Sequence, residues 1–444
     1  MTDSKYALAT AIFAAAFAAC TPVLAQTDTI CLLDQRFSRV DLYPVGQHPG
    51  QVELADLDQD GHLDAVVLNR DGGSFTVLLG EPGGTFTLHS EILTGQLPIA
   101  QEFDDIDHDG DTDLLILDSE NNDIAIFLND GNAGFVVHSR VSVGERSRSI
   151  KVADFNSDGY TDIACTHQQY QIDDPTVEIL LGGPNITFDE PFGLFDDMYT
   201  NDISIADFNN DGNADIAALE GIYPSGNRGR IYLGNGDATF EDPIQFNSRR
   251  STITTTVEDM NNDGHLDIVS VSRIDYSVII HYGDGTGAFD DYRQIQLIVE
   301  AANVATAYLN DDDLLDIVVS YDGVLSSEGG GISLLESSSN GSYRLYTVPN
   351  TGLSSWVAVA DLNDDGKVDF VAPARGSDNL EVFFDQCGVC PADLNGDGAL
   401  DYLDVSRLLN PVPGVNIFVD YNLDGVTNFF DISDFLIDFQ TGCN

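Results

Sequence analysis

Basic residues are what this chain most lacks. Lysine occurs only at Lys5, Lys151 and Lys367, and Lys and Arg together number 18 against 74 Asp and Glu, for a formal net charge of −56. Such an acidic surface repels phosphate backbones and anionic lipid headgroups, which argues against nucleic-acid binding and against adsorption to anionic membranes. Long apolar runs are missing too. The stretch 7–19 is too short to span a bilayer and no other segment reads as transmembrane. No HExxH, nucleophile elbow or phosphate-cradling glycine loop occurs, and the eight histidines are scattered. The only tryptophan, Trp356, lies near a strand start and is expected in the core.

Residues 1–25 read as an export signal: a short apolar run of small residues, then "VLA" as a cleavage site before Gln26. A second reading has Cys20 of "FAAC" carrying a lipid anchor. Either places the chain outside the cell, secreted or at the cell surface. Cleavage leaves five cysteines, which in an exported protein suits two disulfides and one thiol. Cys387 and Cys390 form a CxxC without a second CxxC or a nearby histidine pair, so zinc is not expected.

What the chain has in abundance is aspartate at regular intervals. Nonapeptides of the form D-x-[DN]-x-D-G-x-x-D begin at Asp56, Asp105, Asp154, Asp207, Asp259 and Asp361, with a degenerate copy at Tyr308; successive starts differ by 49, 49, 53, 52, 49 and 53 residues. A period of this size marks a repeat architecture. Short alternating apolar runs precede and follow each nonapeptide, and a Gly-rich turn then leads to an aromatic that opens another run, as in "GGTFTLH" and "TGAFDDY". Four strands per unit and seven units predict a mainly β protein, a seven-bladed β-propeller over 26–387. The seventh unit runs out after three strands, whereas "FSRVDLYPVG" from Phe37 looks like a fourth strand standing ahead of the first loop. The N-terminal strand is therefore expected to close the last blade. Cys31 and Cys387 then fall where a turn would have been and are expected to pair; Cys165 is expected to be a buried free thiol.

Positions 1, 3, 5 and 9 of each loop supply side-chain oxygens, and position 7 a carbonyl. The glycine at position 6 permits a sharp turn at positive φ. An oxygen-only cage of irregular geometry suits calcium better than magnesium or a transition metal. The candidate ligands are Asp56, Asp58, Asp60, His62 and Asp64; Asp105, Asp107, Asp109, Asp111 and Asp113; Asp154, Asn156, Asp158, Tyr160 and Asp162; Asp207, Asn209, Asp211, Asn213 and Asp215. The later loops offer Asp259, Asn261, Asp263, His265 and Asp267; Asn310, Asp312 and Asp316; and Asp361, Asn363, Asp365, Lys367 and Asp369. In the sixth, Tyr308 replaces the first acid and Asp313 the glycine, which leaves its metal binding open.

These loops, with turns such as "GDGTGAF", resemble the FG-GAP/VCBS repeats of integrin α-chain propellers and of many exported bacterial proteins, over about residues 37–385. The resemblance implies calcium between the first and second strands of each blade, six or seven ions in all.

Two further loops follow on a different spacing. Asp393, Asn395, Asp397, Ala399, Asp401 and Asp404 form one, and Asp420, Asn422, Asp424, Val426, Asn428 and Asp431 the other, with oxygens at positions 1, 3, 5, 9 and 12 as in EF-hand loops. Apolar helical patterns follow each. Residues 390–444 thus resemble a dockerin, a small α-helical module holding two calcium ions, which implies a cohesin-like partner. Tyr402, Leu403, Phe429 and Phe430 stand where well-known dockerins often carry small polar recognition residues, so they either face another partner or pack against the propeller. Cys390 and Cys443 flank the module and suit a clasp.

The face opposite the acidic loops should carry long connections and six arginines, Arg146, Arg148, Arg228, Arg230, Arg249 and Arg250, expected as a basic rim for an acidic glycan or a carboxylate on a protein partner. The composite expectation is an exported calcium-binding recognition or adhesion module, with a polysaccharide lyase on the same scaffold as the alternative.

Overall fold

The computed structural model describes residues 36–37, 39–166, 175–194, 200–221, 227–249, 251–310, 312–321, 330–339, 341–348 and 353–386. One compact unit comprises Phe37–Asp385; a second gathers Met1–Arg36 and Gln386–Asn444, of which only Arg36 and Gln386 are described. The expected helical module, its two acidic loops and Cys31, Cys387, Cys390 and Cys443 lie outside the described residues.

Phe37–Asp385 forms seven four-stranded antiparallel sheets, the blades of a propeller. In blade 1 the strands are Pro49–Ala55, Asp64–Asn69, Ser74–Glu81 and Thr85–Leu93, hydrogen-bonded in that order. Blades 2 to 6 repeat the order, with a two-stranded insertion, Gly182–Gly183 and Thr187–Phe188, before the short outer strand of blade 3. Blade 7 takes Ala358–Ala360, Asp369–Ala374 and Asn379–Phe384 from the C-terminal end and Arg39–Pro44 from the N-terminal end. Arg39 pairs with Phe384 and Pro44 with Asn379, so the expected closing strand is in place.

Burial explains why four different sequence patterns recur. The first strands pack side by side around the axis and are half-buried. The second strands, such as "DAVVLN" and "DIVVSY", are buried at every position, because a neighbouring blade covers each face. Period-two alternation divides each second strand between two interfaces. Val66 and Leu68 face blade 2 with Leu114 and Ile116, while Ala65 and Val67 face blade 7 with Val371 and Val382. Seven apolar clusters result, one between each pair of adjacent blades. The aromatic after each Gly-rich turn seals the interface with the preceding blade: Phe135 lies 5.7 Å from Phe75, Phe240 5.8 Å from Phe155 and Phe289 5.6 Å from Phe208. Fourth strands alternate exposed and covered residues, as outer edges should.

Deleting residues 37–44 strips the partner from Asn379–Phe384 and leaves a bare edge. Calorimetry should then lose the single sharp unfolding transition and sizing should show association; an unchanged transition would mean that the ring does not need its closing strand.

Candidate metal centre

Each acidic loop joins the first strand of a blade to the second, so all seven lie at one end of the ring. The repeated hydrogen bonds show how the sequence shapes them. The position 1 carboxylate of Asp56 accepts from the backbone N–H groups of Asp60 at 3.1 Å and Gly61 at 3.0 Å. Asp58 accepts from the same Asp60 amide at 3.2 Å, and Asp60 accepts from the amide of His62 at 2.8 Å. The pattern recurs at Asp105, Asp154, Asp207, Asp259 and Asp361. In each, the oxygens of positions 1 and 3 converge on one amide, that of position 5. The position 6 glycines have φ between 83° and 94°, where a Cβ would strain the turn.

Among the described residues, acidic side chains cluster in the first two loops. One oxygen each from Asp56, Asp58 and Asp64 lies within 4.8 Å of the others, and so do oxygens of Asp105, Asp107 and Asp109. Where position 3 is Asn156, Asn209 or Asn261, its amide group donates to the position 5 aspartate at 2.9–3.0 Å, a polar pairing that relieves like-charge contact. The position 7 residues His62, Asp111, Tyr160, Asn213, His265 and Lys367 all follow the turn, and in all six the backbone amide donates back to the position 5 aspartate. The donor set is oxygen throughout, which fits a hard cation.

The sixth loop departs as its sequence does. Asn310 accepts from the amide of Asp312 at 3.0 Å, but Tyr308 offers no carboxylate and is 52% exposed. Asp313 holds the turn at φ 57° in place of glycine.

Position 9 has a second role that the spacing did not reveal. Asp64, Asp113, Asp162, Asp215, Asp267, Asp316 and Asp369 are all at most 1% exposed. Each carboxylate bridges two backbone amides: Asp64 accepts from Leu57 at 2.8 Å and from Gly80 at 2.7 Å, joining the loop to the end of the third strand. The other six do the same. Burial pushes these carboxyls up, to about 6 at Asp64, Asp113, Asp162, Asp215 and Asp316 and to about 7 at Asp267 and Asp369. The signal was present in the sequence: an aspartate abutting a run of apolar residues.

Loops also touch around the ring. Gln59 donates to Asp111 at 2.6 Å, Asn262 donates to the Asp313 carbonyl at 3.3 Å, and His62 lies 3.8 Å from Asp364. Blade 2 clasps blade 1 through the Asn129 amide group and the Ala133 backbone, both donating to the Leu57 carbonyl.

On the opposite face the arginines do not present one rim. Arg228 makes an ion pair at 2.9 Å with Glu220, whose side chain is fully buried, and Arg230 is itself buried. Arg249 stacks on Tyr292 at 4.1 Å, Arg146 and Arg148 are exposed, and Arg250 lies outside the described residues. Cys165 is a buried free thiol, as expected, and burial raises its pKa far above the ordinary thiol value. Trp356 is half-buried: it packs on the blade 7–blade 1 cluster yet also lines the central channel.

Removing a position 9 carboxylate strands two buried amides. In excess chelator, Asp215→Ala and Asp267→Ala should each cost about 2–4 kcal/mol in denaturant unfolding; a cost near zero would mean the bridges are incidental. The raised pKa values also set a pH dependence. The folded state binds more protons than the unfolded one, whose carboxyls titrate near the ordinary 3.8, so stability falls as pH rises from about 4 through 6–7. In chelator the melting temperature should therefore be higher at pH 5 than at pH 8; the reverse order would contradict these environments.

A family profile described as FG-GAP-like repeat matches residues 105–165, 207–270 and 259–319. No curated protein sequence matches the chain. Two crystal structures of BBS1N in complex with ARL6DN, one soaked with mercury and one with lead, share the fold at 10% identity. Their TM-scores are 0.53 and 0.52; the mercury-soaked structure matches over 78% of this chain and 95% of its own, the lead-soaked one over 79% and 96%. Residues 37–385 form a seven-bladed β-propeller, and the stretches 105–165, 207–270 and 259–319 within it match the FG-GAP-like repeat.

Proposed function

We propose that the chain is an exported calcium-binding propeller that serves as a recognition or adhesion module for an extracellular glycan or protein. The observation that carries the calcium reading is the sharing of one amide by the position 1 and position 3 oxygens in six loops, which brings oxygen donors together from residues that would otherwise repel. A divalent ion there replaces repulsion between carboxylates with coordination, and it fixes the loop that joins the first two strands of its blade. Export rests on the N-terminal pattern of residues 1–25. The C-terminal loops, by their spacing, would hold two further ions and dock a cohesin-like partner.

Recognition rather than catalysis follows from how the ionisable groups are used. The aspartates of the ring are spent on amides and on the cation sites, and Arg228 is committed to Glu220. A rigid ring with metal at one end leaves the opposite connections free to vary, which is how propellers present binding surfaces. A protein–protein role is also in keeping with the shared propeller fold of BBS1N, which was crystallised in complex with ARL6DN.

Chelator should lower the melting temperature and added calcium restore it. A site filled at about 100 times its dissociation constant contributes about 2.7 kcal/mol. Asp154→Ala, which removes the acceptor for the amides of Asp158 and Gly159, should weaken that response, whereas Tyr308→Phe should leave it unchanged. Equal melting with and without chelator would overturn the calcium reading. Retention on acidic polysaccharides with no new unsaturated ends would support recognition; cleavage would favour the lyase.

A further inference from the structure

The outer wall of the ring is uneven. The outer strands of blades 1, 2, 5, 6 and 7 run for 9, 7, 6, 6 and 6 residues, whereas those of blades 3 and 4, Phe192–Leu194 and Ile244–Phe246, have 3 each. These two blades are neighbours. Phe192, Leu194 and Phe240 pack on the apolar cluster between them and are only partly buried. Beside them lies an open groove of about 480 Å³, walled by Phe192 and Leu194 from blade 3 and by Tyr232, Phe240 and Pro243 from blade 4.

Walls and rim differ in kind. The walls are apolar and the rim is acidic: Asp189, Glu190, Asp237, Glu241 and Asp242 are all exposed, and neither 181–194 nor 231–245 contains a lysine or an arginine. Glu241 itself lines the groove. One wall is also a sheet edge. Phe192–Leu194 pairs with Val177–Ile179 on its inner side and, among the described residues, with no strand on its outer side. An edge of this kind offers backbone N–H and C=O groups to an incoming chain.

We propose that this groove binds an extended segment of a partner protein, a short apolar run flanked by lysine or arginine, laid alongside Phe192–Leu194 as an added strand. Its backbone pairs with the open edge, its apolar side chains fill the space between Phe192 and Phe240, and its flanking charges meet the carboxylates of the rim. A second copy of this chain does not suit the rim, because two walls of a protein with net charge −56 repel each other. An acidic peptide meets the same repulsion. A glycan is read through hydrogen bonds to its hydroxyls, and walls of Phe192, Leu194, Phe240 and Pro243 offer few. The groove lies on the outer wall, not among the connections at the end opposite the acidic loops, and its occupation does not depend on theirs.

The probe is a fluorescein-labelled, end-capped heptapeptide, Lys-Lys-Val-Phe-Val-Lys-Lys, titrated with the full chain at about 150 mM salt, where diffuse attraction to so acidic a protein is screened. Two comparison peptides carry a Ser-Ser-Ser core or glutamates in place of the lysines. The expected result is saturable binding below about 1 mM, about tenfold or more tighter than for either comparison peptide. Phe192→Ser and Glu241→Lys should each weaken it about tenfold, and Glu81→Lys, which reverses an exposed acid on blade 1, should leave it unchanged. Two versions of the probe N-methylated on alternate amides should differ, since only one set of methyl groups faces the edge. If Phe192→Ser does not fold, Glu241→Lys against Glu81→Lys decides. No saturable binding by about 1 mM, equal affinity for the apolar and serine cores, equal loss in Glu241→Lys and Glu81→Lys, or equal binding of the two methylated versions would each overturn the proposal. Failure here would leave the loop calcium and glycan retention untouched, since those are read by chelator and by polysaccharide binding.

Discussion

The buried aspartate at the head of each second strand is the contact on which the rest of the ring depends. It bridges an amide of its own acidic loop and an amide at the end of the third strand, so one carboxylate fixes loop, second strand and third strand together. A carboxylate in an apolar interior is costly unless its oxygens are satisfied. Here both are, in every blade, by backbone groups that would otherwise be orphaned at a strand end. The acidic loops can then crowd like charges at one end of the ring because their geometry is set from beneath.

Closure is the second constraint. Each blade offers two apolar faces, and neither is covered unless a neighbour stands on each side. A ring meets that condition for all seven blades, and pairing Arg39–Pro44 with Asn379–Phe384 meets it for the blade where the chain begins and ends. Phe370 stacks on Phe383 and Phe37 packs at a tilt on Phe370, each pair with ring centroids 4.7 Å apart, so aromatic packing reinforces the strand pairing.

Much of this was legible in the sequence because it is local. The 49–53 residue spacing, the alternating runs and the missing fourth strand of the last unit are patterns within one repeat, and they led to seven blades and to the closing strand. Oxygen positions 1, 3 and 5 were legible for the same reason. What was hidden depends on neighbours far away in the chain. Asp64 reads as one more loop acid until its strand is seen buried on both faces. Arg228 reads as a free surface charge until Glu220 is found beneath it. Glu102, Lys151 and Asp202 come from three different blades and line one axial cavity only because those blades turn the same strand toward the axis.

The acidic loops gather at one end of the ring, and the turns between second and third strands lie at the other. The most direct test is a crystal structure grown with calcium, with anomalous maps recorded at long wavelength. Peaks enclosed by positions 1, 3 and 5 of the six loops that begin with aspartate, and a weak or missing peak at the Tyr308 loop, are the predicted result. Maps featureless at all seven loops, with the carboxylates holding only backbone amides, would contradict the account.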